Sequence, residues 1–459
     1  MLYINEEKIF DLLNRKKNAN ESEIHSILEK AKNLQRLSLE ETAVLLNVNN
    51  TEILEKIYQT ANYVKNKIYG KRVVLFAPLY ISNYCKNNCL YCGFKAENKL
   101  IKRKALTKLE IQQETEILLK QGHKRILMVC GEDAPNGLNS IDYYVEAIKT
   151  IYEAEVNKNK IKRVNINCAP LSVDEFKKLK KASIGTYQLF QETYHQETYK
   201  KMHLAGKKSD PDNRIDAIDR AFLAGIDDVG LGVLFGLYDY KFEVLGLLSH
   251  IEHLEQRFNV GPHTISVPRI EPAEGAEISF NPPYKLSDDD FKKVVAILRL
   301  AVPYTGIILS TRESPQMRDL LLHLGVSQIS AGSKTSPGGY SKDSFTAQFS
   351  IGDYRSLNEI VSTLIKYNYI PSFCAACYRK KRTGEIFMSL AKPGTIKDKC
   401  TINALITLKE FLLDFAESEL IIEANKLIDF YSQKLTKPEQ DLLNKIFLRL
   451  EQGYRDEYI

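Results

Sequence analysis

Ser82-Asn83-Tyr84-Cys85-Lys86-Asn87-Asn88-Cys89-Leu90-Tyr91-Cys92-Gly93-Phe94 carries three cysteines in a C-x3-C-x2-C spacing, directly after the apolar run 73–81. Spacers this short let one loop wrap a compact inorganic core. Iron–sulfur cubanes are held by four thiolates as a rule, so a set of three leaves one iron open to a small molecule. The alternative is a zinc knuckle, or three unrelated buried thiols. Structural zinc favours a C-x2-C pair answered by a second pair of Cys or His ligands, and no second pair follows nearby.

From residue 73 onward, short β-branched runs alternate with amphipathic stretches. The runs cover 73–81, 125–129, 163–167, 185–190, 228–234, 263–267, 306–310 and 327–330. Helices are predicted between them, for instance 107–121, opened by the box Thr107-x-x-Glu110, and 286–300. Eight strand–helix repeats over about 290 residues predict an α/β fold, a (β/α)8 TIM barrel. A doubly wound open sheet is the alternative. Barrel enzymes gather their chemistry at the C-terminal ends of the strands, and each run here ends in polar residues or glycine. The first leads into the cysteine loop and the second into Gly131-Glu132-Asp133. The third closes on Asn165 and Asn167, the fourth on Gln191-Glu192-Thr193, and the fifth carries Gly230-x-Gly232. The sixth ends at Pro268-Arg269, the seventh at Ser310-Thr311-Arg312-Glu313, and the eighth at Ala331-Gly332-Ser333. Together these ends predict one polar mouth.

Two further units flank the barrel, giving the division 1–70, 71–370 and 371–459. Residues 1–70 read as a helical extension, with Ser38-x-x-Glu41 opening one helix and Thr51 starting another that runs to about residue 68. This layer is expected to cover one end of the barrel. A DNA-binding helix-turn-helix is the alternative, but no basic recognition helix appears. In the tail, Cys374-Ala375-Ala376-Cys377 is followed after 22 residues by Cys400. Gly384 and Pro393-Gly394 let the chain turn back and bring Cys400 beside the pair. Helices are predicted from about 401 to 433 and from 437 onward.

Composition excludes several classes. Apolar residues make up 44% and charged residues 27%, as in ordinary globular proteins. The net charge of +6 is spread through Lys-rich helices and reads as a solvated surface, not a nucleic-acid interface. No apolar run of about 18 residues is present, so no membrane span is expected. The opening residues Met1-Leu2-Tyr3-Ile4-Asn5-Glu6-Glu7-Lys8 carry acids early and lack the apolar core of a signal peptide. The eight cysteines are clustered, which fits metal ligation in a reducing, cytoplasmic compartment better than disulfides.

C-x3-C-x2-C followed by Gly93-Phe94 resembles the signature of the radical S-adenosylmethionine (SAM) superfamily. The resemblance implies a [4Fe–4S] cluster on Cys85, Cys89 and Cys92. Its open iron would bind SAM, and reduction would yield a 5′-deoxyadenosyl radical. Cys130-Gly131-Glu132 is similar to the family motif that meets the methionine amino group, with Cys130 in place of the first glycine. By the same resemblance Glu192 would meet the ribose hydroxyls, and Gly230 and Gly232 would let backbone approach adenine. Arg214 would meet the SAM carboxylate, and Asn167 belongs to the same set. The plain alternatives are a helix cap for Glu192 and a surface ion pair for Arg214.

The tail spacing of Cys374, Cys377 and Cys400 resembles the FeFe-hydrogenase maturases among the radical SAM tyrosine lyases, the HydG family. The similar lyases of thiazole biosynthesis, the ThiH family, share the barrel but lack this motif. The resemblance runs over essentially the whole chain. It implies a second 4Fe-4S cluster on the tail cysteines, with an extra iron ligated by His263, at the start of the sixth run. A structural metal site that pins the C-terminal helices is the alternative for the tail, and a satisfied core residue is the alternative for His263. The implied substrate is L-tyrosine. Its carboxylate would need a cation, Arg312 first and Arg269 second, and Tyr80 would approach its amine. Cleavage at Cα–Cβ would give p-cresol and dehydroglycine, which would become CO and cyanide on iron for the hydrogenase H-cluster. An electron donor such as ferredoxin or flavodoxin, and a maturation scaffold protein, are the implied partners. Two rivals stand: a ThiH-type 2-iminoacetate synthase that stops at dehydroglycine, and a non-catalytic Fe–S carrier.

Overall fold

The β-branched runs become eight parallel strands that close on themselves. They are β1 (Arg72–Ser82), β2 (Arg125–Cys130), β3 (Arg163–Asn167), β4 (Tyr187–Glu192), β5 (Val229–Val233), β6 (Thr264–Ser266), β7 (Gly306–Leu309) and β8 (Gln328–Ser330). Each pairs with the next, and β8 returns to β1 with Val74 opposite Gln328 and Phe76 opposite Ser330. This closure makes the sheet a (β/α)8 barrel and rules out the doubly wound alternative. The computed structural model describes residues 1–17, 19–132, 140–342 and 346–459; the predicted polar residue Asp133 lies outside them.

The longest strand, β1, sorts its side chains by parity. Val73, Leu75, Ala77 and Leu79 are fully buried among the apolar core residues. Arg72 and Val74 line a cavity at the foot of the barrel, while Phe76, Pro78 and Tyr80 line a larger one at the mouth. One strand face therefore reaches both ends of the lumen, as the two-residue period of a strand requires.

Two irregularities sit at the mouth. The register of β1 against β2 shifts between Tyr80 and Ser82, just before the cysteine loop. That of β4 against β5 shifts between Phe190 and Glu192, and Glu192 has a φ of 73°. Bulges and left-handed non-glycine residues re-aim side chains next to functional sites.

A ninth strand, β9 (Ile370–Ser372), is absent from the predicted runs. It pairs with Arg72–Val74, where Val74 faces Gln328 on one edge and Ser372 on the other. Because β2 engages β1 only from Ala77 upward, the foot of that edge is open to β9. β9 then delivers the chain straight to Cys374 at the barrel foot.

The N-terminal helices Glu6–Arg15, Glu21–Lys32, Leu39–Asn47 and Thr51–Tyr69 form as expected, with the Ser38/Glu41 box in place. Their position differs from the expected end-cap. Ile57, Ala61, Val64 and Ile68, spaced by three and four, are fully buried, and their helix packs on Asp288–Ala301 along the barrel flank. The tail also differs. The predicted helix 401–433 is two helices, Ile396–Phe415 and Ser418–Ser432, broken where Ala416 turns extended. Among the described residues no helix is long and apolar enough to cross a membrane.

Candidate active site and second cavity

The mouth holds a cavity of about 1350 Å³ lined from each of β1 to β8 or the residues just past it. Cys85, Cys89 and Cys92 all face it. The loop that carries them is short of secondary structure and is pinned by hydrogen bonds instead. Arg103 donates to the carbonyls of Asn83 and Phe94 at 2.7 and 2.8 Å. Asn88 and Leu90 N–H groups donate to Ala205 and Met202, at 3.1 and 3.0 Å. Gly131 donates to the Ser82 carbonyl at 2.8 Å, and a Cβ at Gly131 would stand 2.3 Å from the Tyr84 carbonyl oxygen. Only glycine lets the second strand end approach the cysteine loop this closely.

All eight cysteines are free thiols. Burial pushes Cys85 up to about 12 and raises Cys89 and Cys92 as well, so none holds a thiolate unaided. A coordinating cation deprotonates such thiols outright, which is how iron would hold them. Three free thiols on one loop facing a roomy cavity fit a cluster with an open position. Among the described residues no three His, Cys, Asp or Glu side chains converge on a single-ion position.

Beside the loop lies a buried charge quartet. Arg214 Nη1 donates to Glu132 Oε1 at 2.8 Å, and its Nε donates to the Phe190 carbonyl at 2.6 Å. Asn87 donates to the other Glu132 oxygen at 2.7 Å. Lys208 Nζ donates to Glu192 Oε1 at 2.6 Å. Burial alone would raise the Glu132 carboxyl, but Arg214 and Lys208 outweigh it and hold it below its ordinary value. Two acids against two cations leave the wall neutral in sum yet densely dipolar, suited to a zwitterionic ligand. Glu192 is aimed into this quartet by its bulge, and Asn167 lines the same wall. Arg214, read from sequence as a free carboxylate partner, is tied to Glu132. Gly230 and Gly232 do not line the cavity. A Cβ on Gly232 would meet the Phe190 ring at 2.5 Å, and one on Gly230 would meet Thr264 Oγ1 at 2.6 Å, so both make room for neighbouring side chains.

Across the cavity, the Tyr80 hydroxyl donates to Gln348 Oε1 at 2.8 Å. Arg312 faces the cavity with its guanidinium 3.2 Å from the Phe349 ring centroid. Among the described residues it has no acidic ion-pair partner, and its guanidinium makes one hydrogen bond, to the Arg269 carbonyl at 3.5 Å. Burial lowers it from the ordinary guanidinium value, with Tyr80 and Glu192 opposing. Arg269, the second candidate, must be withdrawn. It binds both carboxylate oxygens of Glu313, reaches Asp288 at 2.7 Å and does not line the cavity.

At the foot, a second cavity of about 480 Å³ is lined by Cys374, Cys377 and Cys400, and His263 faces the same space. The tail cysteines and the sixth-run histidine, 111 residues apart at their nearest in sequence, thus share one chamber. Arg72 and Arg125 line it too, and Arg125 donates to the Cys374 carbonyl at 2.7 Å. Burial pushes Cys377 up to about 12 and lowers His263, so the imidazole is neutral and able to ligate. Its Nδ1 lies 3.5 Å from buried Asp228.

Sequence reasoning missed Arg103, Asn87, Lys208 and Gln348. Lys208 sits in a Lys207-Lys208 pair that reads as surface, and Gln348 lies 256 residues beyond Cys92, so no local spacing marks either.

The radical SAM superfamily model matches residues 79–248, and the biotin and thiamin synthesis associated domain matches residues 266–370. 2-Iminoacetate synthase of Salmonella typhimurium is 34% identical over 340 residues, 73% of this chain and 87% of that protein. A crystal structure of HydG, a maturase of the [FeFe]-hydrogenase, is 50% identical with a TM-score of 0.96 over all of both chains. The maturase HydG from Carboxydothermus hydrogenoformans is 41% identical with a TM-score of 0.84, covering 96% of this chain and 97% of its own.

Proposed function

Because the chain belongs to the radical SAM enzyme family that holds HydG and 2-iminoacetate synthase, we propose that it cleaves L-tyrosine between Cα and Cβ. The products are p-cresol and dehydroglycine, and the second of these becomes CO and cyanide destined, with iron, for the hydrogenase H-cluster. The observation that carries this reading is the pair of chambers in one barrel, each with its own set of three cysteines.

Cys85, Cys89 and Cys92 would hold the first cluster, which with SAM supplies a hydrogen-abstracting 5′-deoxyadenosyl group when bound. The remaining work belongs to the protein. The Glu132–Arg214 and Glu192–Lys208 pairs and Asn167 give SAM a preorganised polar wall. Arg312 captures the tyrosine carboxylate, and Tyr80, kept neutral by burial, offers a hydroxyl near the amine. The enclosing barrel excludes water from a reactive fragment. Cys374, Cys377, Cys400 and His263 would hold the second cluster and its extra iron. A ferredoxin- or flavodoxin-type donor supplies electrons, and a scaffold protein takes the product.

Anaerobic reconstitution with SAM, tyrosine and a reductant tests the reading. Co-production of 5′-deoxyadenosine, p-cresol and CO supports it. p-Cresol without CO favours a 2-iminoacetate synthase, and absence of 5′-deoxyadenosine leaves only a carrier.

A further inference from the structure

Gln348 is the side chain that joins the cysteine loop to the substrate side of the mouth. Its Nε2 stands 3.7 Å from Cys92 Sγ, and its Oε1 accepts from the Tyr80 hydroxyl at 2.8 Å. Its backbone is fixed on both sides: the N–H donates to the Thr335 carbonyl at 2.9 Å, and the carbonyl accepts from Gly93 at 3.1 Å. Gly93 is what permits this seam, because a Cβ there would lie 2.9 Å from the carbonyl oxygens of both Ala347 and Gln348. The amide orientation follows from chemistry. A metal-bound thiolate can only accept, so the amide N–H faces sulfur and the amide oxygen is left to accept from the Tyr80 phenol.

We propose that Gln348 is a positioning residue for the SAM-binding cluster, an N–H donor to the Cys92 sulfur that raises the cluster's reduction potential. The inference rests on the radical SAM reading and adds a residue to it. Adding an electron puts negative charge on the cluster sulfurs, so a donor aimed at one of them stabilises the reduced form more than the oxidised form. Hydrogen bonds to sulfur are among the protein's levers on such potentials. In a buried chamber the bond is electrostatically stronger than in water. The Tyr80–Gln348 contact keeps the donor aimed, so the group that meets substrate and the group that tunes the cluster are hydrogen-bonded neighbours.

The test is an EPR-monitored redox titration of the full-length, anaerobically reconstituted protein, following the reduced-cluster signal that changes on SAM addition. Gln348→Leu removes the donor, and Gln348→Glu, isosteric with the parent, replaces it with a carboxylate. Both should load iron as the parent does and keep the SAM-responsive signal, with midpoints shifted negative, further for Glu than for Leu. 5′-Deoxyadenosine formation should fall several-fold with dithionite and recover with the stronger reductant Ti(III) citrate. Midpoints equal to the parent's in both variants, with the signal retained, overturn the proposal for Gln348 alone. A parent that gives no SAM-responsive signal overturns the radical SAM reading itself.

Discussion

Replacing Arg312 with alanine should weaken tyrosine capture while sparing SAM. Arg312 faces the mouth cavity, stands over the Phe349 ring 3.2 Å from its centroid, and has no acidic ion-pair partner among the described residues. Its fork is therefore preorganised and unneutralised when a carboxylate arrives. One hydrogen bond to a charged group is worth about 1.5–3 kcal/mol, which corresponds to roughly a 12- to 160-fold rise in the tyrosine concentration needed for half-maximal p-cresol formation. Arg312→Lys keeps the charge but loses the fork and should fall between. Arg269→Ala is the contrast. It strips Glu313, only 2% exposed, of its bidentate partner, so the loss should appear as a lower unfolding temperature, with tyrosine saturation of the surviving enzyme near the parent's. Tyrosine saturation curves read as p-cresol, beside SAM binding and thermal unfolding, decide between the two. An unchanged tyrosine requirement in Arg312→Ala, or an equal rise in Arg269→Ala, refutes the assignment.

Cys89→Ala should abolish 5′-deoxyadenosine formation, since two thiolates cannot hold a cubane with one open iron; undiminished product would remove the SAM assignment. Cys374→Ser with Cys377→Ser should leave p-cresol formation largely intact and abolish CO, measured by haemoglobin capture. His263→Ala should be milder, keeping p-cresol while CO delivered to an acceptor falls. CO at the parental level in the double variant would make the tail metal structural only. Glu243 accepts from the Tyr194 N–H at 2.8 Å and from the Thr193 hydroxyl, and burial pushes its carboxyl up to about 8. A carboxyl raised in the folded state favours folding fully below about pH 4.5, and that contribution fades as pH rises through about 8. Glu243→Gln should therefore flatten the fall in unfolding temperature between about pH 5 and pH 8; an unchanged slope counts against a protonated Glu243.

The barrel was legible because its signals are local. Each of the eight predicted runs overlaps one of the eight strands, and the box residues Ser38 and Thr107 cap the helices they were expected to open. The bounds drifted where geometry is not periodic: the fourth run ends at 190 and its strand at Glu192, because the chain continues through the bulge there. Three residues, one of them Pro371, carry too little pattern to announce β9, which exists because the foot of β1 has an open edge. The cysteine sets were readable because cysteines at short, fixed spacing stand out in a sequence with only eight of them. Their supports were not, because Arg103, Lys208 and Gln348 act through contacts that only the folded chain brings together. Arg269 misled for the opposite reason: a strand-end arginine looks the same in sequence whether it faces the mouth or pairs with Glu313.

Because Val74 lines the foot chamber and Tyr80 the mouth, β1 works as a ruler between them. Six residues at about 3.3 Å each put Val74 and Tyr80 about 20 Å apart, with Phe76 and Pro78 lining the mouth between them. Deleting or inserting a single residue between them would not merely shorten or lengthen that distance. It would reverse the parity of everything beyond, turning Leu79 inward and Tyr80 out into the helical layer. The spacing between the chambers can therefore change only in two-residue steps. A lineage or a designer wishing to lengthen the path would have to add a whole pleat to neighbouring strands as well, which makes the distance between the two chambers one of the hardest quantities in this protein to alter.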